Sequence, residues 1–264
     1  MLQIRNLSKT FHKNTINEKT VFHRFSIDIE DGDFITIIGS NGAGKSTLLN
    51  IISGSIEMDE GTIALSNRDI SHQPEFKRAK GIGRVFQDPT MGTSPSMTIV
   101  ENLSMAINKG KKYGLSRGAS KKDIPYFSEI LSSLSLGLEN QLHTKVGLLS
   151  GGQRQALSLL MATISNPELI LLDEHTAALD PKTSERMIDL TEKIITEKKI
   201  TTLMVTHNLH QAINLGNRLI MLHQGEVVLD IKGEEKKQLT IEKLLGCFEK
   251  IQSDQVLSDR LLFS

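Results

Sequence analysis

The sequence predicts an α/β fold: a mostly parallel sheet with helices on its faces, an antiparallel β-layer beside it and a helical insertion. Three observations carry that reading. Phe34-Ile35-Thr36-Ile37-Ile38 is a short apolar, β-branched run, and it leads directly into the glycine-rich stretch Gly39-Ser40-Asn41-Gly42-Ala43-Gly44-Lys45-Ser46-Thr47. Leu169-Ile170-Leu171-Leu172 is a second buried-strand run, and it ends in the acids Asp173-Glu174. Between them, the segment from Pro89 to about Ser150 carries helix signals in place of strand signals.

Composition sets outer limits. The 31 Lys plus Arg balance the 31 Asp plus Glu, so no global charge favours nucleic acid. The one cysteine, Cys247, rules out an internal disulfide and reads as a small, partly buried apolar residue. No apolar run reaches the roughly 18 residues of a membrane-spanning helix, and the N-terminus lacks a signal-peptide core. The expectation is a cytoplasmic chain.

Leu2, Ile4 and Leu7 open a strand-like pattern, and Val21 to Ile29 continue it. Phe25, Ile27 and Ile29 fall on one face, Ser26, Asp28 and Glu30 on the other. Phe11, in the turn region between these strands, reads equally as a ring stacked on a purine or as a packed hydrophobe. Asp31-Gly32-Asp33 turns the chain into the next strand.

Gly39 to Thr47 fits G-x-x-x-x-G-K-[ST], and strand, loop and helix follow in the order that motif requires. Its glycines let backbone N–H groups converge on phosphate oxygens, and the helix N-terminus adds partial positive charge. Lys45 reaches the β- and γ-phosphates, while the Ser46 hydroxyl ligates Mg2+. The helix runs from Ser46 to Ser53 and ends at Gly54.

Glu57 to Leu65 reads as a turn and strand around Gly61, and Gly83 to Phe86 as a strand ending in Gln87. A glutamine there can offer its carbonyl to a metal or its amide to a water. Thr98 and Glu101 form a capping box that opens a helix through about Asn108, and a second helix spans about Ile124 to Leu134. Between them, Lys109, Lys111, Lys112, Arg117, Lys121 and Lys122 form a basic stretch, either a solvated connection or a contact for an anionic partner.

Ser150-Gly151-Gly152 precede a helix from about Gln153 to Ser165, so Ser150 can cap it and leave a second anion-accepting N-terminus. Asp173 can hold Mg2+, and Glu174, pointing to the opposite face of the strand, can polarise the water that attacks a γ-phosphate. Pro181 stands at the first position of a helix after Asp180. Ile200 to Val205 is a further strand ending in Thr206-His207, where a histidine can donate to a γ-phosphate. Arg218–Leu222 and Glu226–Ile231 pair around Gln224-Gly225, Thr240 to Phe248 reads as a short helix, and the tail to Ser264 carries no motif.

With Gly39–Thr47, Gln87, Leu149–Gln153, Leu169–Glu174, Ala178–Asp180 and His207 in that order, the chain resembles the ATP-binding subunit of an ABC transporter over about residues 1 to 235. The resemblance implies a P-loop NTPase, RecA-like core (1–88 and 161–235) with its antiparallel β-subdomain. It also implies a helical signature subdomain (89–160); the C-terminal helix and tail (236–264) lie beyond the resemblance. It matches Phe11 to the adenine-stacking aromatic, Gln87 to the Q-loop and Leu149–Gln153 to the signature. Ala178–Asp180 matches the D-loop and His207 the switch histidine.

The same resemblance implies two copies packed head to tail. ATP then lies between Gly39–Thr47 of one copy and Ser150, Gly151, Gly152 and Gln153 of the other, forming two identical composite sites. Catalysis is positioning and charge stabilisation by Lys45, Mg2+, Gln87, Glu174 and His207, with Ser46, Gln87 and Asp173 as the metal-binding residues. The implied partners are transmembrane permease subunits and, indirectly, an extracellular substrate-binding protein, with no nucleic acid. The implied location is peripheral, on the cytoplasmic face of the membrane.

The stretches Gln87–Thr93 and Asp173–Asp180 look like those of bacterial importers of aromatic amino acids such as tryptophan, with His175 in place of the family's usual proline. The alternatives are another cargo or an exporter. A soluble relative acting on ribosomes or DNA is disfavoured, because the chain has one phosphate loop and no sustained heptads. A non-hydrolysing regulatory subunit is disfavoured because Glu174 and His207 are both present.

Overall fold

A computed structural model describes residues 1–111 and 120–247. In chain order it forms β1 (Leu2–Phe11), β2 (Lys19–Ile29), β3 (Phe34–Gly39), α1 (Lys45–Ser53), β4 (Glu60–Leu65) and β5 (Arg68–Asp69). There follow α2 (Glu75–Arg78), β6 (Ile82–Val85), α3 (Ile99–Ile107), α4 (Ile124–Ser132) and α5 (Gly151–Thr163). The chain continues through β7 (Leu169–Asp173), α6 (Pro181–Lys198), β8 (Thr201–Val205), α7 (Leu209–Asn214), β9 (Arg218–His223), β10 (Glu226–Lys232) and α8 (Glu234–Lys237). A last helix covers 241–247.

Among the described residues the strands make two sheets. One is antiparallel, in the order β2-β1-β4-β5; the other runs β10-β9-β3-β8-β7-β6 and is parallel except for the β9–β10 hairpin. The strand alternation explains how the layers share a core. Leu169 and Leu171 of β7 face one apolar cluster with Ile35 and Ile37 of β3, α1 and the antiparallel sheet. Ile170 and Leu172 face a second cluster with Leu157 and Leu159 of α5, Leu103 of α3 and Ile195 of α6. All of these side chains are at most 3% exposed. Each contributes on the order of 2 kcal/mol by leaving water, so β7 is anchored from both sides.

Several sequence expectations shift by a residue or two. The helix expected from Gln153 to Ser165 starts at Gly151 and stops at Thr163, because Ser150 takes up the cap with its side chain on Gln153 N. Phe11 ends β1 in place of lying in a turn, since the ladder with β2 extends to the pair Phe11–Lys19. The strand expected over Gly83–Phe86 is Ile82–Val85, paired residue by residue with Leu169–Leu172. Glu174 is not on the strand: it leaves β7 with φ of 46°, a left-handed turn set by its N–H donating to Val205 O (3.0 Å).

The helices expected at Thr98–Asn108 and Ile124–Leu134 are present as α3 and α4, the first with both halves of its capping box. Residues Lys112 and Arg117 of the basic stretch, Phe248 at the end of the expected last helix, and the tail lie outside the described residues. No helix among the described residues is long and apolar enough to cross a membrane.

Candidate active site

The C-terminal ends of β3, β7 and β8 open on one side of the parallel sheet, where ligands of such sheets bind. A cleft of about 330 Å³ lies there, lined by Phe11, Lys19 and Val21 of the antiparallel sheet, by Asn41, Gly42 and Gly44 to Thr47, and by Glu174 and His207.

The loop from Gly39 to Gly44 is shaped for backbone approach. A Cβ on Gly39 (φ 151°) would stand 2.1 Å from Leu222 O, and one on Gly44 (φ 103°) 2.8 Å from the Phe22 ring. Ala43 N–H donates back to Ser40 O, and Ala43 O accepts from Gly225 N, which pins the loop on the β9–β10 turn. Helix α1 then begins at Gly44 with no side-chain cap. By contrast α3, α5 and α6 are capped by Thr98, Ser150 and Asp180. The first-turn amides of α1 are thereby left for an external anion.

Lys45, buried, donates from Nζ to Gly39 O (2.8 Å) and Ser40 O (3.0 Å). Burial lowers its pKa, opposed by the charges of Glu174 and Asp173. Ser46 Oγ donates to Asp173 Oδ1 at 3.2 Å. A hydroxyl and one carboxylate converge there, hard oxygen donors of the kind that hold Mg2+ together with phosphate oxygens. Among the described residues no group of three or more acidic, His or Cys side chains offers a self-sufficient metal cage.

Glu174, whose side chain is 14% exposed, meets His207 across the ends of β7 and β8, with Nε2 to Oε1 at 2.5 Å. His175, next in sequence, is buried at 1% exposure, and its Nε2 lies 3.0 Å from Thr191 Oγ1. Thr191 gives its own proton to Met187 O (2.7 Å), so its oxygen accepts from His175 Nε2–H, leaving Nδ1 an acceptor without a partner among the described residues. Burial pushes the pKa of His175 down to about 4.

Phe11 sits at the cleft mouth with Lys9 Nζ 5.2 Å from its ring centre. Gln87 is exposed two residues beyond β6 and does not line the cleft. Ser150, Gly152 and Gln153 line a different groove, against Thr183 and Met187 of α6, and Gly151 is exposed. A capping box fixes the turn: Ser150 Oγ accepts from Gln153 N (3.2 Å) and Ser150 N donates to Gln153 Oε1 (3.1 Å). One chain therefore brings Lys45, Ser46, Asp173, Glu174 and His207 together and keeps 150–153 apart from them. Neither Lys19 nor Val21 is marked as a site residue by the sequence, which shows Val21 only as the start of a strand pattern; the pairing of Lys19 with Phe11 across the hairpin places Lys19 and Phe11 at the cleft.

A glycine loop on an uncapped helix, a buried lysine and a serine–aspartate pair define a phosphate-binding nucleotide protein. The ABC transporter family profile matches residues 22–177. A tyrosine transport ATP-binding protein of Clostridioides difficile (strain R20291) is 56% identical over 249 residues, covering 94% of this chain and 99% of that one. A spermidine/putrescine import ATP-binding protein of Pasteurella multocida is 31% identical, and the chain spans 63% of its length. A solved ATP-binding cassette, in a dimeric post-hydrolysis state bound to ADP and phosphate, superposes with a TM-score of 0.75 at 31% identity, over 88% of this chain and 98% of that one.

The chain belongs to the ABC transporter family, as its ATP-hydrolysing subunit. The family binds ATP, and its cassettes form dimers and work with transmembrane permease components.

Proposed function

We propose that the chain energises a bacterial amino acid importer by ATP-driven closure of a head-to-tail dimer. The observation that carries the catalytic part is the convergence of Lys45, Glu174 and His207 on one phosphate-shaped cleft. Phe11 stacks the adenine, Gly39 to Gly44 offer backbone N–H groups to the phosphates, and Lys45 turns from its carbonyl partners to the β- and γ-oxygens. Ser46 and Asp173 would hold Mg2+, with Gln87 as a further ligand or water contact; the ion would supply neutralisation of phosphate charge.

Glu174 orients and deprotonates the attacking water. That water forms the new bond to the γ-phosphorus as the bond to the ADP oxygen breaks. His207 holds Glu174 until a γ-phosphate competes for its ring N–H. Ser150, Gly151, Gly152 and Gln153 close the site from the second copy, which accounts for their distance from Lys45 within one chain.

The division into a core (1–88 and 161–235), a helical subdomain (89–160) and a C-terminal segment (236–264) follows the same reading. So does peripheral attachment to permease subunits on the cytoplasmic face, with an extracellular substrate-binding protein acting indirectly.

Support for an aromatic amino acid as cargo comes from the tyrosine transport relative. Uptake of labelled tyrosine and tryptophan in cells carrying and lacking the chain tests it. Loss of uptake that the wild-type chain restores and Glu174→Gln does not is the expected result; unaltered uptake of both contradicts the cargo.

A further inference from the structure

Arg84 is a cation in the short strand β6, between the buried Gly83 and Val85, and 11% of its side chain is exposed. A buried guanidinium is costly unless partners are supplied, and its partners come from the elements that build the cleft. Nη2 donates to Asn50 Oδ1 (2.6 Å) and lies 3.6 Å from Asp173 Oδ2; Nη1 donates to Ser53 Oγ (3.0 Å). Asn50 and Ser53 belong to α1, the helix that follows the phosphate loop. The guanidinium also stands 4.4 Å from the ring centre of Phe86, the residue before Gln87.

Asp173 is thus held at both oxygens: Oδ1 by the Ser46 hydroxyl and Oδ2 by Arg84. With its side chain 15% exposed, it has little water to offset its charge. We propose that Arg84 is a positioning residue for this carboxylate, neutralising Asp173 whenever no divalent cation is bound. The triphosphate then enters without meeting an unbalanced negative charge. A bound cation takes over that neutralisation, while Arg84 keeps Asn50 and Ser53. The inference rests on the assignment of Ser46 and Asp173 as metal-holding residues. It adds a residue that lies outside the phosphate-loop, signature and switch motifs.

The consequence is a metal-dependent phenotype. Binding of a fluorescent ATP analogue is titrated into wild type, Arg84→Met and Arg84→Lys, once in EDTA and once in excess Mg2+. We expect Arg84→Met to bind about tenfold more weakly in EDTA and less than about threefold more weakly in Mg2+, with Arg84→Lys close to wild type in both. In an Asp173→Asn background the EDTA defect of Arg84→Met disappears, because no carboxylate remains to be balanced. An arginine with a merely structural role would weaken both conditions by the same factor. Equal factors, or no defect in EDTA, overturn the proposal, as does an EDTA defect that survives in the Asp173→Asn background. Should Arg84→Met fold poorly, Arg84→Lys paired with Asp173→Asn carries the same comparison: loss of the wild-type EDTA affinity in folded Arg84→Lys overturns it. A wild-type chain that binds the analogue in neither condition would instead remove the nucleotide reading, and this proposal with it.

Discussion

His207 Nε2 stands 2.5 Å from Glu174 Oε1, so the two groups that sequence reasoning assigns to hydrolysis already hold each other across the ends of adjacent strands. The contact depends on two backbone features. The left-handed turn at Glu174 takes the acid off β7, and its N–H on Val205 O ties it to the end of β8. The histidine can release the carboxylate only by finding another acceptor for its ring proton, and a γ-phosphate oxygen is one.

Glu174→Gln keeps the size and shape of the side chain and removes its basicity. We expect phosphate release to fall by at least about 10²-fold, while the Kd for ATP stays within about twofold. His207→Ala is expected to lose turnover by a similar order with binding retained. A phosphate-release assay beside a fluorescent-nucleotide titration reads both, and turnover within a few-fold of wild type in either variant contradicts the assigned role.

Lys45→Ala removes a buried cation whose Nζ now bridges Gly39 O and Ser40 O. Its loss costs a charge-assisted phosphate contact, so ATP binding is expected to weaken by at least about tenfold. Calorimetric titration checks this, and an unchanged Kd would take Lys45 out of the phosphate site.

Gly39→Ala tests the loop geometry. The new Cβ would stand 2.1 Å from Leu222 O, a backbone atom that cannot rotate away, at a φ of 151° that side chains rarely adopt. We expect a loss of about 3 kcal/mol or more of unfolding free energy in a urea titration, with nucleotide binding impaired as well. A variant as stable as wild type would show that the β3–β9 contact at Leu222 yields easily.

His175 gives a pH signature. Its pKa is about 4 when folded, against an ordinary value of 6.5, so below 6.5 the unfolded chain binds a proton that the folded chain refuses. Stability is unaffected by this group above about pH 6.5 and falls as pH drops towards 4, by about 3 kcal/mol in all. His175→Asn cannot titrate, so its stability curve is expected to lack that slope when denaturant unfolding is followed across this window. Parallel curves for variant and wild type would mean that the imidazole is not buried as a neutral group.

The order of elements was legible because each carries a local signature. Short apolar runs mark β3, β7 and β8, a capping box marks α3, and Gly39–Thr47 marks the loop that names its own ligand. What was not legible is set by long-range packing. Nothing local says that Glu174 leaves its strand, since the turn is fixed by Val205, which is distant in sequence. Lys19 and Val21 reach the cleft only because the antiparallel sheet folds over the loop. Arg84 carried a faint signal, a charge inside an apolar run, but its partners Asn50, Ser53 and Asp173 come from separate elements. α7 (Leu209–Asn214) spans fewer than two turns, so beyond the Asn208 side chain that accepts from Gln211 N it offers little helical period. The very short α2 and α8 have too few residues to show a period.

The central claim is that Lys45 of one copy and Ser150 of another complete a single site. It is tested most directly by light scattering on Glu174→Gln with and without ATP and Mg2+. We expect the mass to double from 29.3 kDa on adding nucleotide, and to stay at the monomer value when Ser150→Glu is added to the same chain, although that chain still binds ATP. A Glu174→Gln chain that is saturated with ATP and remains a monomer would contradict the account.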